Sequence, residues 1–277
     1  MSEQPTSGSE PKAPPRPVSG SEARTPASGP AAPVRASLFV TCLGDHFYAD
    51  AAASAVRLLR KLGVEVDFPE AQTCCGQPAF NAGRDAEARR MAAHTLEVFL
   101  ESEYVVLPSG SCACMLRRFY AHLSHDGDLS AQAADLAGRT FELAEFLVRV
   151  LGVTDVGRGL EGRRIAYHHG CHALRELGIR KEPLALLANA GAEVVPWEAA
   201  EECCGFGGLF SVSFPQVSAG MADRKLDTLA AAGEVDLLTS ADCGCLLQLS
   251  SRMRKRGQDL DVRHLADVLW EATGGDS

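Results

Sequence analysis

The ten cysteines of this chain fall into two sets of five, and the second set repeats the first. Cys42, Cys74, Cys75, Cys112 and Cys114 are followed by Cys171, Cys203, Cys204, Cys243 and Cys245, at offsets of 129, 129, 129, 131 and 131 residues. Thiols that hold their spacing across a duplication, while the residues between them change, mark a site of fixed geometry such as metal ligation or redox chemistry requires. The chain must therefore fold as two similar halves. Each half must bring residues as far apart as Cys42 and Cys112 to one place.

The apolar pattern says how. Residues 36–41 (ASLFVT) form a short, partly β-branched run that predicts a buried strand ending just before Cys42. Ala51, Ala55, Leu58, Leu59 and Leu62 then recur at helical spacing, with Gly63 placed to end that helix. VEVDF at 64–68 predicts the next strand, with Cys74-Cys75-Gly76 in the loop after it. A helix carrying Ala88, Met91, Ala92, Leu96 and Phe99 on one stripe leads to a strand at 104–107 (YVVL), and Cys112 and Cys114 follow at the start of a helical stretch. The second half repeats the order: IAYHH before Cys171, a helix over 184–190, EVVP before Cys203-Cys204-Gly205, a helix, and VDLLT before Cys243. LAEFL at 143–147 and LADVL at 265–269 close the two halves as matching helices.

Alternating strands and helices predict an α/β fold of two pseudo-symmetric halves, each with a small parallel sheet flanked by helices. The expected organisation is a disordered N-terminal tail over 1–34, a first cysteine-rich half over 35–151, a linker over 152–163 rich in Gly and charge, and a second cysteine-rich half over 164–277. All five cysteines of a half then lie beyond the carboxyl ends of strands, the edge where open α/β sheets bind ligands.

Residues 1–34 hold eight of the fourteen prolines and no aromatic, leucine or isoleucine, so they bury too little apolar surface to offset the entropy of ordering. They lack the apolar central run of a secretory signal, and no segment reaches the 18 or so apolar residues of a membrane span. A cytoplasmic protein is expected. A reducing cytosol keeps thiols free, which favours a metal or redox site over a disulfide framework. The tail's charges balance, so the net charge of −9 rests on the folded part and disfavours a nucleic-acid surface. No GxxxxGK occurs, and the one GxGxxG match, GRGLEG at 157–162, falls in the Gly-rich link between the halves, so no phosphate-cradling loop or dinucleotide site is expected.

Zinc is satisfied by four ligands, commonly in CxxC pairs, which neither half has. Vicinal thiolates and more than four sulfur donors suit iron–sulfur chemistry better. Gly76 and Gly205 leave the backbone room beside a bulky cluster, and the loop through Gly205, Phe206, Gly207 and Gly208 can turn amide N–H groups toward negatively charged sulfur. His168, His169 and His172 around Cys171, and Asp45-His46 after Cys42, are candidate hydrogen-bond partners for a cluster or simple strand-end polar groups. Arg117, Arg118, Arg252, Arg254, Lys255 and Arg256 follow the last cysteines and are read either as dipole-stabilising cations or as a docking surface.

The pattern of a cysteine, CCG and a closing cysteine pair, with gaps in the thirties, resembles the CCG cysteine-rich domain family over roughly residues 36–270. Within it, CCGQPAFNAG, PSGSC, HHGCH and CCGFGGLFS are most similar to the lactate-utilisation branch, and the B subunit of heterodisulfide reductase is a more distant relative. The resemblance implies one or two iron–sulfur clusters of the 4Fe–4S type per chain, ligated by these cysteines. It also implies a role in oxidising L-lactate to pyruvate as an electron-transfer subunit, with other lactate-utilisation proteins as partners. Both halves depart from the family by ending in CxC rather than CxxC, with Met115 and Leu246 at the family's last cysteine position. Which cysteine of Cys112/Cys114 and of Cys243/Cys245 is a ligand therefore stays open. Two other functions fit the residues: a thiol–disulfide oxidoreductase like heterodisulfide reductase, and a structural zinc scaffold.

Overall fold

The computed structural model describes residues 33–123 and 127–275. The tail expected over 1–34 falls outside the described residues except for its last two. The first half contains strands β1 (Arg35–Leu38), β2 (Glu65–Asp67), β3 (Tyr104–Leu107) and β4 (Thr140–Glu142), all parallel, in the order β2-β1-β3-β4. The second contains β5 (Arg164–Tyr167), β6 (Glu193–Val194), β7 (Leu237–Ser240) and β8 (Asp261–His264), also parallel, in the order β6-β5-β7-β8. The α/β fold of two like halves is thus present as expected.

Burial explains why the inner strands were readable. All four residues of β7, and all but the first of β1, β3 and β5, are buried, which gives the continuous apolar runs of a sheet covered on both faces. β4 and β8 were not foreseen. Each has only three or four residues with a carboxylate among them, and each is held by its ladder to β3 or β7 rather than by its own propensity. The strand expected over 36–41 ends at Leu38, although the amide of Phe39 still donates to the Val106 carbonyl at 3.0 Å.

The halves share one core. A continuous buried cluster runs from Leu38, Leu58 and Leu147 through Ile165 and Leu187 to Leu237 and Leu269. The helix Ala49–Lys61 of the first half packs on the closing helix Leu265–Ala272 of the second, and the Ser54 hydroxyl donates to Asp267 Oδ1 at 2.7 Å. Residues 152–163 contain no helix or strand; the Gly159 amide in this link donates to the Ala272 carbonyl at 3.0 Å. Smaller apolar clusters back each sheet: Phe39, Leu96, Phe99 and Tyr120 in one half, Trp197, Leu226, Leu238 and Leu249 in the other. Among the described residues no helix is long and apolar enough to cross a membrane.

In each sheet the first strand lies between the second and the third, so the chain leaves it toward one side and returns on the other. This reversal opens a crevice at the carboxyl ends of the strands. Cys42 and Cys171 follow the first strands, the CCG loops follow the second, and the CxC segments follow the third.

Candidate metal centre

Local structure fixes each thiol. Cys42 opens the helix Cys42–Phe47, capped by the Thr41 hydroxyl, which accepts from the Gly44 amide at 3.1 Å. Thr41 has a φ of 69°, a left-handed conformation that is strained for a β-branched residue and lies directly beside the first cysteine. The loop before Cys74 is pinned to the end of β1 by Gln72: its Oε1 accepts from the Val40 amide at 2.8 Å and its Nε2 donates to the Leu38 carbonyl at 3.0 Å. After the vicinal pairs, Gly76 and Gly205 have φ of 85° and 84°. A Cβ at Gly205 would lie 2.6 Å from the Ser218 carbonyl oxygen, so close backbone approach excludes any side chain there.

These constraints draw the thiols together. Cys42 Sγ lies 3.5 Å from Cys74 Sγ, and Cys75 Sγ lies 3.4 Å from Cys112 Sγ. In the second half Cys204 Sγ lies 3.0 Å from Cys245 Sγ, Cys171 is hydrogen-bonded to Cys203, and the Gly205 amide donates to Cys203 Sγ at 3.4 Å. All ten cysteines are free thiols.

The two CxC segments are not in the register that sequence spacing implies. A constant offset pairs Cys112 with Cys243 and Cys114 with Cys245. In the structure, Cys112 is the fifth residue beyond the end of β3 and Cys245 the fifth beyond the end of β7. Ser109 and Asp242, each three residues earlier, are the N-cap residues of the helices Gly110–Cys114 and Cys243–Lys255. Cys112 and Cys245 are therefore the equivalent residues, and each meets the second cysteine of its CCG loop. Among the described residues the close thiol contacts leave out Cys114 and Cys243, although Cys243 lines the same cavity.

That cavity, of about 200 Å³, is bounded by both sets: Cys42, Cys75 and Cys112 on one side, Cys171, Cys203, Cys204 and Cys245 on the other, with Gly207 and Gly208 at the edge. Gly207 and Gly208 both have positive φ, and Phe206 between these glycines and Gly205 packs so closely on Gly244 that a Cβ there would lie 2.7 Å from its ring.

The electrostatics of the halves run in parallel and then diverge. Hydrogen bonds from Cys42 and Cys75 hold the Cys74 thiol well below the ordinary range, and bonds from Cys171 and Cys204 do the same for Cys203. Their donors are pushed up. Burial pushes Cys114 up to about 12 and also raises Cys243. Behind the first site the Tyr120 hydroxyl donates to the Cys75 carbonyl at 3.0 Å. Behind the second stands a fully buried lysine, Lys225. Its ammonium lies 4.4 Å over the Trp197 ring and bonds the carbonyls of Ala199 and Glu202, the latter at 2.9 Å. Burial lowers this lysine to about 8.

The secondary candidates separate. His172 lines the cavity with Nδ1 3.8 Å from Cys171 Sγ, and His168 and His169 are buried beside it. His46 is exposed and faces Asp45 at 4.0 Å. Several cations after the CxC pairs are committed within the fold: Arg117 to Glu145 at 2.7 Å, Arg118 to the Glu176 carbonyl, and Arg252 to Asp223 at 2.6 Å with Arg256 on the same carboxylate. Sequence reasoning missed Asp242 and Lys225. The only signal for Lys225 was a cation on the core-facing side of a helix.

Free thiols in close pairs, buried or half-buried, a backbone amide on sulfur and an apolar surround form a donor set that fits a thiophilic metal or an iron–sulfur group. The model of the CCG cysteine-rich domain matches residues 36–117 and 165–250. The chain belongs to the CCG cysteine-rich domain family. Its two CCG segments contain both thiol quartets in full. Among relatives in this family, a protein from Geobacillus kaustophilus called "Lactate utilization protein A" is 48% identical over 238 residues, covering 85% of this chain and 98% of its own length. Proteins of the same name from Geobacillus sp. (strain WCH70) and Bacillus subtilis are 45% and 44% identical, each covering 85% of this chain and 99% of their own.

Proposed function

We propose that this chain is an iron–sulfur electron-transfer subunit of an L-lactate-oxidising system. The observation that carries the reading is the two sets of thiols, one at the switch point of each sheet, with Cys42, Cys75 and Cys112 of one and Cys171, Cys203, Cys204 and Cys245 of the other lining one cavity. The name borne by full-length relatives supplies the lactate part. Cys42, Cys74, Cys75 and Cys112 hold one cluster, and Cys171, Cys203, Cys204 and Cys245 hold the other; Cys114 and Cys243 stand outside the ligand set. When bound, a 4Fe–4S cluster supplies one-electron transfer. The chain's own residues position the thiolates, direct the Gly205 amide at sulfur, and wall the site with Leu43, Pro78 and Phe206 so that water is partly excluded. Hydride chemistry on lactate belongs to a partner protein of the same cytoplasmic system, since the one GxGxxG match of this chain, at 157–162, lies in the link ahead of β5 and opens no helix.

Anaerobic purification with iron, acid-labile sulfide and zinc analysis tests the metal reading. Iron and sulfide in equal amounts with an electron paramagnetic resonance signal support it; zinc without sulfide points instead to a structural scaffold. Deleting the gene should impair growth on L-lactate and leave growth on pyruvate intact. Growth equal on both would refute the lactate role. The 3.0 Å approach of Cys204 to Cys245 also favours a second reading, thiol–disulfide exchange, which predicts reductase activity that survives iron chelation.

A further inference from the structure

The two halves differ at one position that faces the thiols. The register places Phe39 and His168 at equivalent points: the Phe39 amide donates to Val106 and the His168 amide to Thr239, both one residue past the first strand of the half. Phe39 is fully buried with its ring stacked on Phe99 at 5.4 Å, so the first half presents hydrocarbon there. The second half presents an imidazole.

That imidazole is fully buried, and its two nitrogens have different surroundings. Nδ1 lies 3.3 Å from the Ala200 carbonyl, which accepts its proton. Nε2 is buried and has no hydrogen-bond partner. A ring nitrogen of His168 and the sulfurs of Cys204 and Cys245 lie within 4.8 Å of one another. An imidazole whose Nδ1–H is held by a backbone carbonyl keeps its Nε2 lone pair free, which is how metal-binding histidines are set in proteins. An unsatisfied buried ring nitrogen is destabilising, a cost that a ligand would offset.

We infer that His168 is a nitrogen ligand of the metal group held by the second half, so that the two halves hold chemically different centres. The first half offers four sulfurs; the second offers four sulfurs and one nitrogen. This rests on the iron–sulfur reading above. Nitrogen ligation at one iron distinguishes that iron from its all-sulfur neighbours and raises the potential of the group that carries it.

The test uses the full chain reconstituted anaerobically with iron-57 and sulfide, in the wild type, His168→Phe and His168→Gln, read by Mössbauer spectroscopy and metal analysis. His168→Phe copies the first half; His168→Gln keeps a buried polar group of similar reach. The expected result is a distinct iron component in the wild type that is missing from both variants, with the first half still loaded. Identical spectra and iron content in all three proteins would overturn the inference and leave the iron–sulfur reading standing. Loss of all iron from both variants would also overturn it, because a ligand of one half leaves the other half filled. A wild type that takes up no iron sinks the iron–sulfur reading itself, and the inference with it.

Discussion

The carboxylate of Asp242 accepts a hydrogen bond of 2.9 Å from the amide of Ser111. Asp242 is the N-cap residue of its own helix, Cys243–Lys255, yet it makes no capping bond there; it caps the helix Gly110–Cys114 of the other half and also accepts from the Ser109 hydroxyl at 3.2 Å. The segment that carries Cys112 is thus oriented by the segment that carries Cys245. Asp242→Ala leaves the half-buried Ser111 amide without its partner and should destabilise the fold by about 1–3 kcal/mol, measured as a shift in urea midpoint. Asp242→Asn, which keeps an acceptor, should cost less than half of that. Equal losses in the two variants would show that the capping bond is not what Asp242 contributes.

Gly170 leaves the room that this carboxylate occupies. A Cβ at position 170 would lie 1.9 Å from Asp242 Oδ2. Gly170→Ala should therefore cost about 1–3 kcal/mol through overpacking in the wild type and close to nothing in the Asp242→Ala background. A double-mutant cycle in chemical unfolding measures that coupling, and additive costs would contradict it.

The register of the CxC segments separates the cysteines into ligands and bystanders. Cys75→Ser and Cys204→Ser should each remove about half of the bound iron, whereas Cys114→Ser should keep all of it, because Cys112 and Cys245 are the thiols that meet the CCG loops. Anaerobic iron and sulfide analysis of the three variants decides this. Iron lost on replacing Cys114 would restore the sequence-based pairing.

Glu142 carries a pH dependence of the fold. Its carboxyl is fully buried, its Oε1 has no hydrogen-bond partner, and burial raises it to about 8 from an ordinary 4.5. Because the folded value lies above the unfolded one, the protonated group favours the fold. That contribution is complete below about 4.5 and is lost as pH rises through 8. Relative to Glu142→Gln, the wild type should lose roughly 1 kcal/mol of stability per pH unit across this window. Urea unfolding of both proteins at pH 5 and pH 8 checks it; a constant difference between them would exclude the effect.

The inner strands and the helix 49–61 could be read from the chain because continuous burial writes a continuous apolar pattern. β4 and β8 could not be read: their few residues carry mixed polarity, and their extended form comes from pairing with β3 and β7. The CCG loops were legible for a related reason, since vicinal thiols followed by a glycine of positive φ have few structural uses. Lys225 left no such mark, because a lysine in a helix is ordinary until its burial is known, and His168 stood out beside Cys171 without its sequence deciding between a cluster partner and a strand-end polar group.

The sequence by itself determined that the chain is a duplicated α/β structure with thiols at the carboxyl edges of its sheets, since hydrophobic period and cysteine spacing are both properties of the linear chain. Only the tertiary structure decided which thiols meet. The third strand and its helix start at a different offset from the first strand, so Cys112 matches Cys245 in space while numbering matches it to Cys243. Contact depends on register across hydrogen-bonded strands and on the shared core that presses the halves together, and neither is encoded in the spacing of residues along one chain.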